Sequence, residues 1–333
     1  MKIRQIMEKS GRGMMLSLLL AAAGLSAPWT MAKESDDSFG VVVMAHGGPQ
    51  SWNEGVSDML APLASEYKLE LAFGMADAYS LQEAIDRLEA RGVDDIGVVR
   101  LFISGESWLE RTRQILGLQD GAPPRAARHQ QHGTGVHGMH AEPSPESAQN
   151  GAEDHGNHGG MRMEFWQVDS DAQFTLSIEG LSEAPEMDQV LLQRARHLSV
   201  DPVGEQILVL AHGPGDDAEN ERWLANISER AELLKRDGGF SEVKVATLRE
   251  DWPEKREAAQ QAVRDYVRQG NEAGRRVLVI PYRVHGFGPY AEALEGLDYV
   301  ADETGLVPHP AVAQWIERQI QSLQVQNVQA MTE

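Results

Sequence analysis

The chain has no cysteine at all. That one absence excludes disulfides, thiolate metal sites and iron–sulfur clusters together, so a bound metal has to be held by His, Asp, Glu or Met. Basic residues are also scarce: 30 Lys and Arg stand against 51 Asp and Glu, for a net charge of −21. A nucleic-acid partner is therefore not expected, because neutralising a phosphate backbone takes clustered cations. Beyond the N-terminus no apolar run reaches the roughly 20 residues that span a bilayer. Walker, G-x-S-x-G and H-E-x-x-H motifs are all missing, which removes the commonest P-loop, hydrolase and zinc-protease signatures.

What is present begins with a compartment signal. Lys2, Arg4, Lys9 and Arg12 precede an apolar run over 14–27, and Thr30-Met31-Ala32 fits a small-residue cleavage site. This pattern predicts a signal peptide over 1–32, cut after Ala32, and a periplasmic or secreted protein with no stable membrane insertion.

Two stretches organise the rest. Residues 41–49 read VVVMAHGGP and residues 207–215 read ILVLAHGPG. Each is a β-favouring apolar run that stops at Ala-His-Gly, where glycine permits a sharp turn, and each opens a similar alternation of strands and helices. The pattern predicts strands over 40–45, 69–73 and 96–102 with helices over 51–66, 81–91 and 107–118. After a strand pair (164–168 and 173–178) and a helix (185–197) come strands over 206–211, 242–247 and 276–282. Their helices fall at 217–236, 254–268 and 289–294, with a last helix over 311–323. Strands that are apolar throughout and alternate with helices imply parallel sheets covered on both faces. Between the halves, residues 119–160 lose all periodicity and carry His129, His132, His137, His140, His155 and His158, six of the 11 histidines. Such a segment is expected to be disordered and either a labile divalent-metal binder or a solvated loop.

In open α/β sheets ligands sit beyond the carboxyl ends of the strands. In the second half that places His212, the Arg249-Glu250-Asp251 run and His285 in one crevice, an open imidazole–carboxylate set for a divalent transition metal. In the first half His46 matches His212, and Glu106 takes the place of His285; Asp77 follows the second strand at looser spacing. His46 and Glu106 are either a second metal or proton-shuttling site or a decayed copy. Trp52, Trp108, Trp223 and Trp252 are walls for a flat ligand or core residues; His309 reads as part of a turn before a proline-started helix, and His197 as a surface or packed residue.

On the two AHG motifs, the segment Ala246-Thr247-Leu248-Arg249-Glu250 and the segment Val279-Ile280-Pro281-Tyr282-Arg283-Val284-His285-Gly286, the chain resembles the class II tetrapyrrole chelatases of the sirohydrochlorin cobaltochelatase and ferrochelatase type, in their long two-domain form. The resemblance implies an α/β fold with two similar chelatase-like domains, each a parallel sheet flanked by helices. These would cover 39–118 and 164–323, joined by a disordered His-rich linker over 119–163. It implies a lyase that inserts Co²⁺, Fe²⁺ or Ni²⁺ into a tetrapyrrole such as sirohydrochlorin, as in cobalamin biosynthesis, without an organic cofactor. His212, His285 and Glu250, with His46 in the matching position, would bind the metal; Glu250, or His46 with Glu106, would take the pyrrole protons. Arg249, Arg283 and Arg100 would meet the macrocycle's carboxylates. The alternative is an exported carrier of metal or tetrapyrrole that keeps the fold without turnover.

Overall fold

The computed structural model describes residues 38–125 and 163–330. The expected signal peptide and the six linker histidines lie outside the described residues.

The first half is built from β1 (Phe39–Ala45), α1 (Gln50–Glu66), β2 (Lys68–Phe73), α2 (Ala78–Glu89), β3 (Asp95–Leu101), α3 (Leu109–Ile115) and β4 (Gln173–Leu176). The second contains α4 (Met187–Leu198), β5 (Glu205–Ala211), α5 (Asp217–Arg236), β6 (Glu242–Thr247), α6 (Pro253–Glu272), β7 (Arg276–Tyr282), α7 (Tyr290–Ala293), β8 (Val300–Ala301) and α8 (Pro310–Ala330). The two sheets have the same order, β2-β1-β3-β4 and β6-β5-β7-β8, and every pairing is parallel. The repeated motif thus marks a repeated sheet.

Central strands β1, β3 and β5 are buried along their whole length, which is why their sequences are continuously apolar rather than alternating. Alternate residues still divide between faces. Val41, Val43 and Ala45 of β1 share one large core with Ile207, Val209 and Ala211 of β5, whereas Val42 and Met44 pack with α2 residues such as Ile85 and Leu88. Leu208 and Leu210 face Val263 and Val267 of α6. The helices between the sheets fill the shared core. The last helix, α8, which sequence position would assign to the second half, packs against β3 and α1 of the first, burying Trp315, Ile316 and Ile320. The carboxyl ends of both sheets therefore border the same cleft.

One expectation fails. The proposed pair 164–168 and 173–178 yields only β4, parallel to β3; residues 164–168 make a single bridge, Gln167 to Pro124. Polar anchors hold that segment instead: Arg111 donates to the carbonyls of Met163 and Glu164, and Asp77 accepts from the Glu164 amide.

Candidate functional site

Both Ala-His-Gly motifs sit where a strand ends and the chain turns. Gly47 and Gly213 have φ of 80° and 78°, a region that glycine enters without steric cost, and a Cβ on Gly213 would lie 2.5 Å from the Thr247 side chain. The turns release His46 and His212 at the strand ends. Three non-glycine residues among those described also have positive φ, Ala76, Trp108 and Arg249, and each follows the end of a strand beside the cleft. Such conformations cost about 1–3 kcal/mol apiece and gather at functional sites.

The turns converge on one pocket of about 380 Å³, within the roughly 300–1,000 Å³ of small-molecule sites. The first half supplies His46, Met75, Phe102, Glu106 and Trp108; the second supplies His212, Glu219, Trp223, Glu250, Asp251, Trp252, Arg283 and His285. Asp77, by contrast, caps α2 through the Ser80 amide.

His212 is held on both ring nitrogens: Nδ1 lies 2.8 Å from Glu250 and Nε2 lies 3.2 Å from Asp251. Burial alone would lower its pKa, but the bonds to Asp251 and Glu250 more than reverse this and push it up to about 9. His212 is thus an imidazolium at neutral pH. Burial would raise Glu250, yet His212 and Arg283 outweigh that and hold its carboxyl below the ordinary value. Arg283 donates to Glu250 Oε1 at 2.5 Å, while Glu250 Oε2 is buried without a hydrogen-bond partner. His285 shifts the opposite way: burial first, then the neighbouring Arg283 charge, lower its pKa, so the ring is neutral and its lone pair is available. Trp52, fixed by a bond from its Nε1 to Val307 O, meets His285 edge-on at 5.5 Å. His46 donates from Nδ1 to Gly47 O, which leaves Nε2 as its acceptor nitrogen.

Several expected roles fall elsewhere. Among the described residues no three His, Asp or Glu side chains are grouped to hold a metal ion, so the ligand set His212, Glu250, His285 and His46 is not preassembled. The reason is that both His212 nitrogens and Glu250 Oε1 are spent on each other, on Asp251 and on Arg283. Arg249 turns away to Pro214 O, Gly215 O and Asp217, bracing the turn after His212. Arg100 is buried and donates to the carbonyls of Ser177, Gly105 and Ser107; burial, chiefly, lowers its pKa to about 10. Both arginines are bonded within the protein. Glu106 reaches the pocket from a loop that Arg100 anchors, and its carboxylate is gripped by Arg222. His309 is buried between Gln193 and the Ala311 amide at the start of α8. Asp251 belongs to the run that the sequence places in the crevice; Glu219, in the first turn of α5, carries no such sequence signal.

No family model and no curated protein matches this sequence. Solved structures do. SirB from Bacillus subtilis with Fe³⁺ superposes with a TM-score of 0.53 at 12% identity, over 86% of this chain and 95% of that one. The sirohydrochlorin chelatase SirB from Bacillus subtilis subspecies spizizenii, in complex with cobalt, gives 0.52 at 9% identity over the same shares. This chain has a class II chelatase-like fold. It also spans 55% of a longer multi-domain protein from Deinococcus radiodurans described as similar to chelatases, at a TM-score of 0.49 and 15% identity over 85% of this chain. Within the chelatase-like fold, the described histidines His46, His212 and His285 stand at the ends of β1, β5 and β7, facing the cleft between the two sheets.

Proposed function

We propose that the protein inserts a divalent metal such as Co²⁺ or Fe²⁺ into a tetrapyrrole bound in this cleft. One observation carries the reading: imidazoles and carboxylates from both halves converge on a single pocket walled by Trp108, Trp223 and Trp252. Imidazole and carboxylate donors suit these metals, and flat aromatic walls suit a flat ring. His285, neutral and partly buried, is the first ligand to the incoming metal, with His46 opposite from the first half. Two pyrrole protons must leave as the metal enters. Glu250 Oε2, buried and unpartnered, takes one, and Glu106 is placed to take the other. His212, bonded to Glu250 and Asp251, positions the acceptor. The N-terminal pattern supports an exported protein.

A carrier is the second reading, favoured by the absence of a preassembled three-ligand set among the described residues. Incubating the chain from Lys33 onward with Co²⁺ and either sirohydrochlorin or a dicarboxylate porphyrin, while following the macrocycle's absorption spectrum, separates the two. Many metallated rings per protein support the chelatase. A single bound equivalent with no further conversion supports the carrier and overturns the chelatase.

A further inference from the structure

Resting on the reading of His46 and His285 as metal ligands, we propose that Trp52 is a positioning residue that sets these two imidazoles, one from each half, in register for a single metal ion. Trp52 is buried, 5% exposed, and stands behind the pocket wall, whereas both histidines line it. On the first-half side its amide donates to Pro49 O, and the turn after His46 lies against its ring, where a Cβ on Gly48 would come within 3.2 Å. On the second-half side its Nε1 donates to Val307 O at 3.2 Å, a buried bond. The Val307 amide in turn donates to Val284 O at 3.1 Å, and the Gly286 amide donates to Thr304 O at 2.9 Å. The backbone on both sides of His285 is therefore tied to the segment that Trp52 holds. The indole also meets the His285 ring edge-on, with 5.5 Å between centroids and 63° between planes.

One side chain thus supports the turn after the first histidine, the backbone beside the second and the ring plane of the second. An indole suits this task, because it is large, rigid and carries a single donor. The repeated architecture does not demand it: the duplicated half has Ala218 and Glu219 at the matching start of α5. A metal site depends on such support, since its ligands have to be held within about 0.5 Å of the binding geometry. Replacing a residue that orients a ligating histidine typically costs roughly 10–100-fold in metal affinity or activity.

The test measures Co²⁺ binding by visible absorption and single-turnover insertion of Co²⁺ into sirohydrochlorin, both with the chain from Lys33 onward. Trp52→Phe keeps an aromatic edge beside His285 and loses the bond to Val307 O; Trp52→Leu loses both. Leu60→Ala, at a buried position further along α1, controls for lost stability. All variants are compared below their melting transitions. Co²⁺ affinity and insertion rate are expected to fall about tenfold or more in Trp52→Leu and by less in Trp52→Phe, with sirohydrochlorin affinity within about threefold of wild type. Leu60→Ala is expected to melt earlier and to match wild type in all three measurements. Where Trp52→Leu does not fold, Trp52→Phe decides by the same measures. Wild-type Co²⁺ affinity and insertion in the Trp52 variants, or an equal loss in Leu60→Ala, overturns the positioning role and leaves the chelatase reading standing. Co²⁺ bound by wild type without insertion overturns the chelatase reading, and the Co²⁺ affinities of the variants still decide the role of Trp52. Failure of wild type to bind Co²⁺ overturns both.

Discussion

Glu106 of the first half and Arg222 of α5 in the second are joined by a two-pronged ion pair, with both N–O distances 2.7 Å. The pair is about half exposed, 52% for Arg222 and 48% for Glu106, so its contribution to stability is small. Its placement matters more, because Glu106 lines the pocket and Arg222 holds it. Arg222→Ala is predicted to leave the melting temperature within a few degrees of wild type while speeding release of a bound macrocycle severalfold, as read by stopped-flow quenching. An unchanged release rate would show that the ion pair does not guard the pocket.

The grip on His212 predicts a pH signature. Its folded pKa, about 9, lies above the unfolded value of about 6.5. The stabilisation is therefore fully present below pH 6.5 and is lost as pH rises through 9; it amounts to at most about 3 kcal/mol. The stability difference between wild type and His212→Gln in urea titrations should be largest near pH 6 and shrink by pH 10. A difference that grows with pH would contradict the doubly bonded imidazolium.

Glu205 gives the opposite sign. It is buried at the start of β5, where burial would raise its pKa, but Ser199, the Val200 amide and Arg276 outweigh this and depress it. Its contribution is present above the unfolded carboxylate pKa and fades as pH falls through the lower folded value. Glu205→Gln should destabilise the protein at pH 7 and much less at pH 3, by denaturant unfolding at both.

Arg100 offers a sharp contrast between sequence and structure. Its position at the end of a strand made it a plausible contact for an anionic ligand, yet its guanidinium fork spans three carbonyls. Arg100→Lys cannot reproduce that fork and should cost about 2–4 kcal/mol. It should leave the charge dependence of ligand binding unaltered, which a salt series on the variant would check.

How far the sequence could be read follows from the same logic. Strands β5, β6 and β7 could be placed because apolar runs ended at glycine, proline or charge; β6 and β7 keep the expected bounds, 242–247 and 276–282. Strand β8 escaped notice because two residues, Val300 and Ala301, carry no period. The helix α8 was legible as a helix, but its return to the first sheet is a tertiary choice that its amphipathic pattern does not encode. At the site, His46, Glu106, His212, Glu250 and His285 were visible because strand ends face the cleft. The fates of Arg100 and Arg249 were not, since a side chain's partners depend on loop geometry. Trp52 and Trp223 are buried in the core, and Trp223, Trp108 and Trp252 line the pocket.

The most direct measurement is single-turnover insertion of Co²⁺ into a prebound porphyrin by wild type and His285→Ala. The account predicts that macrocycle affinity stays within about threefold of wild type while the insertion rate drops by roughly a hundredfold or more, as expected when a group acting at the reacting centre is removed. Insertion at the wild-type rate in the variant would contradict His285 as the metal's ligand in this cleft.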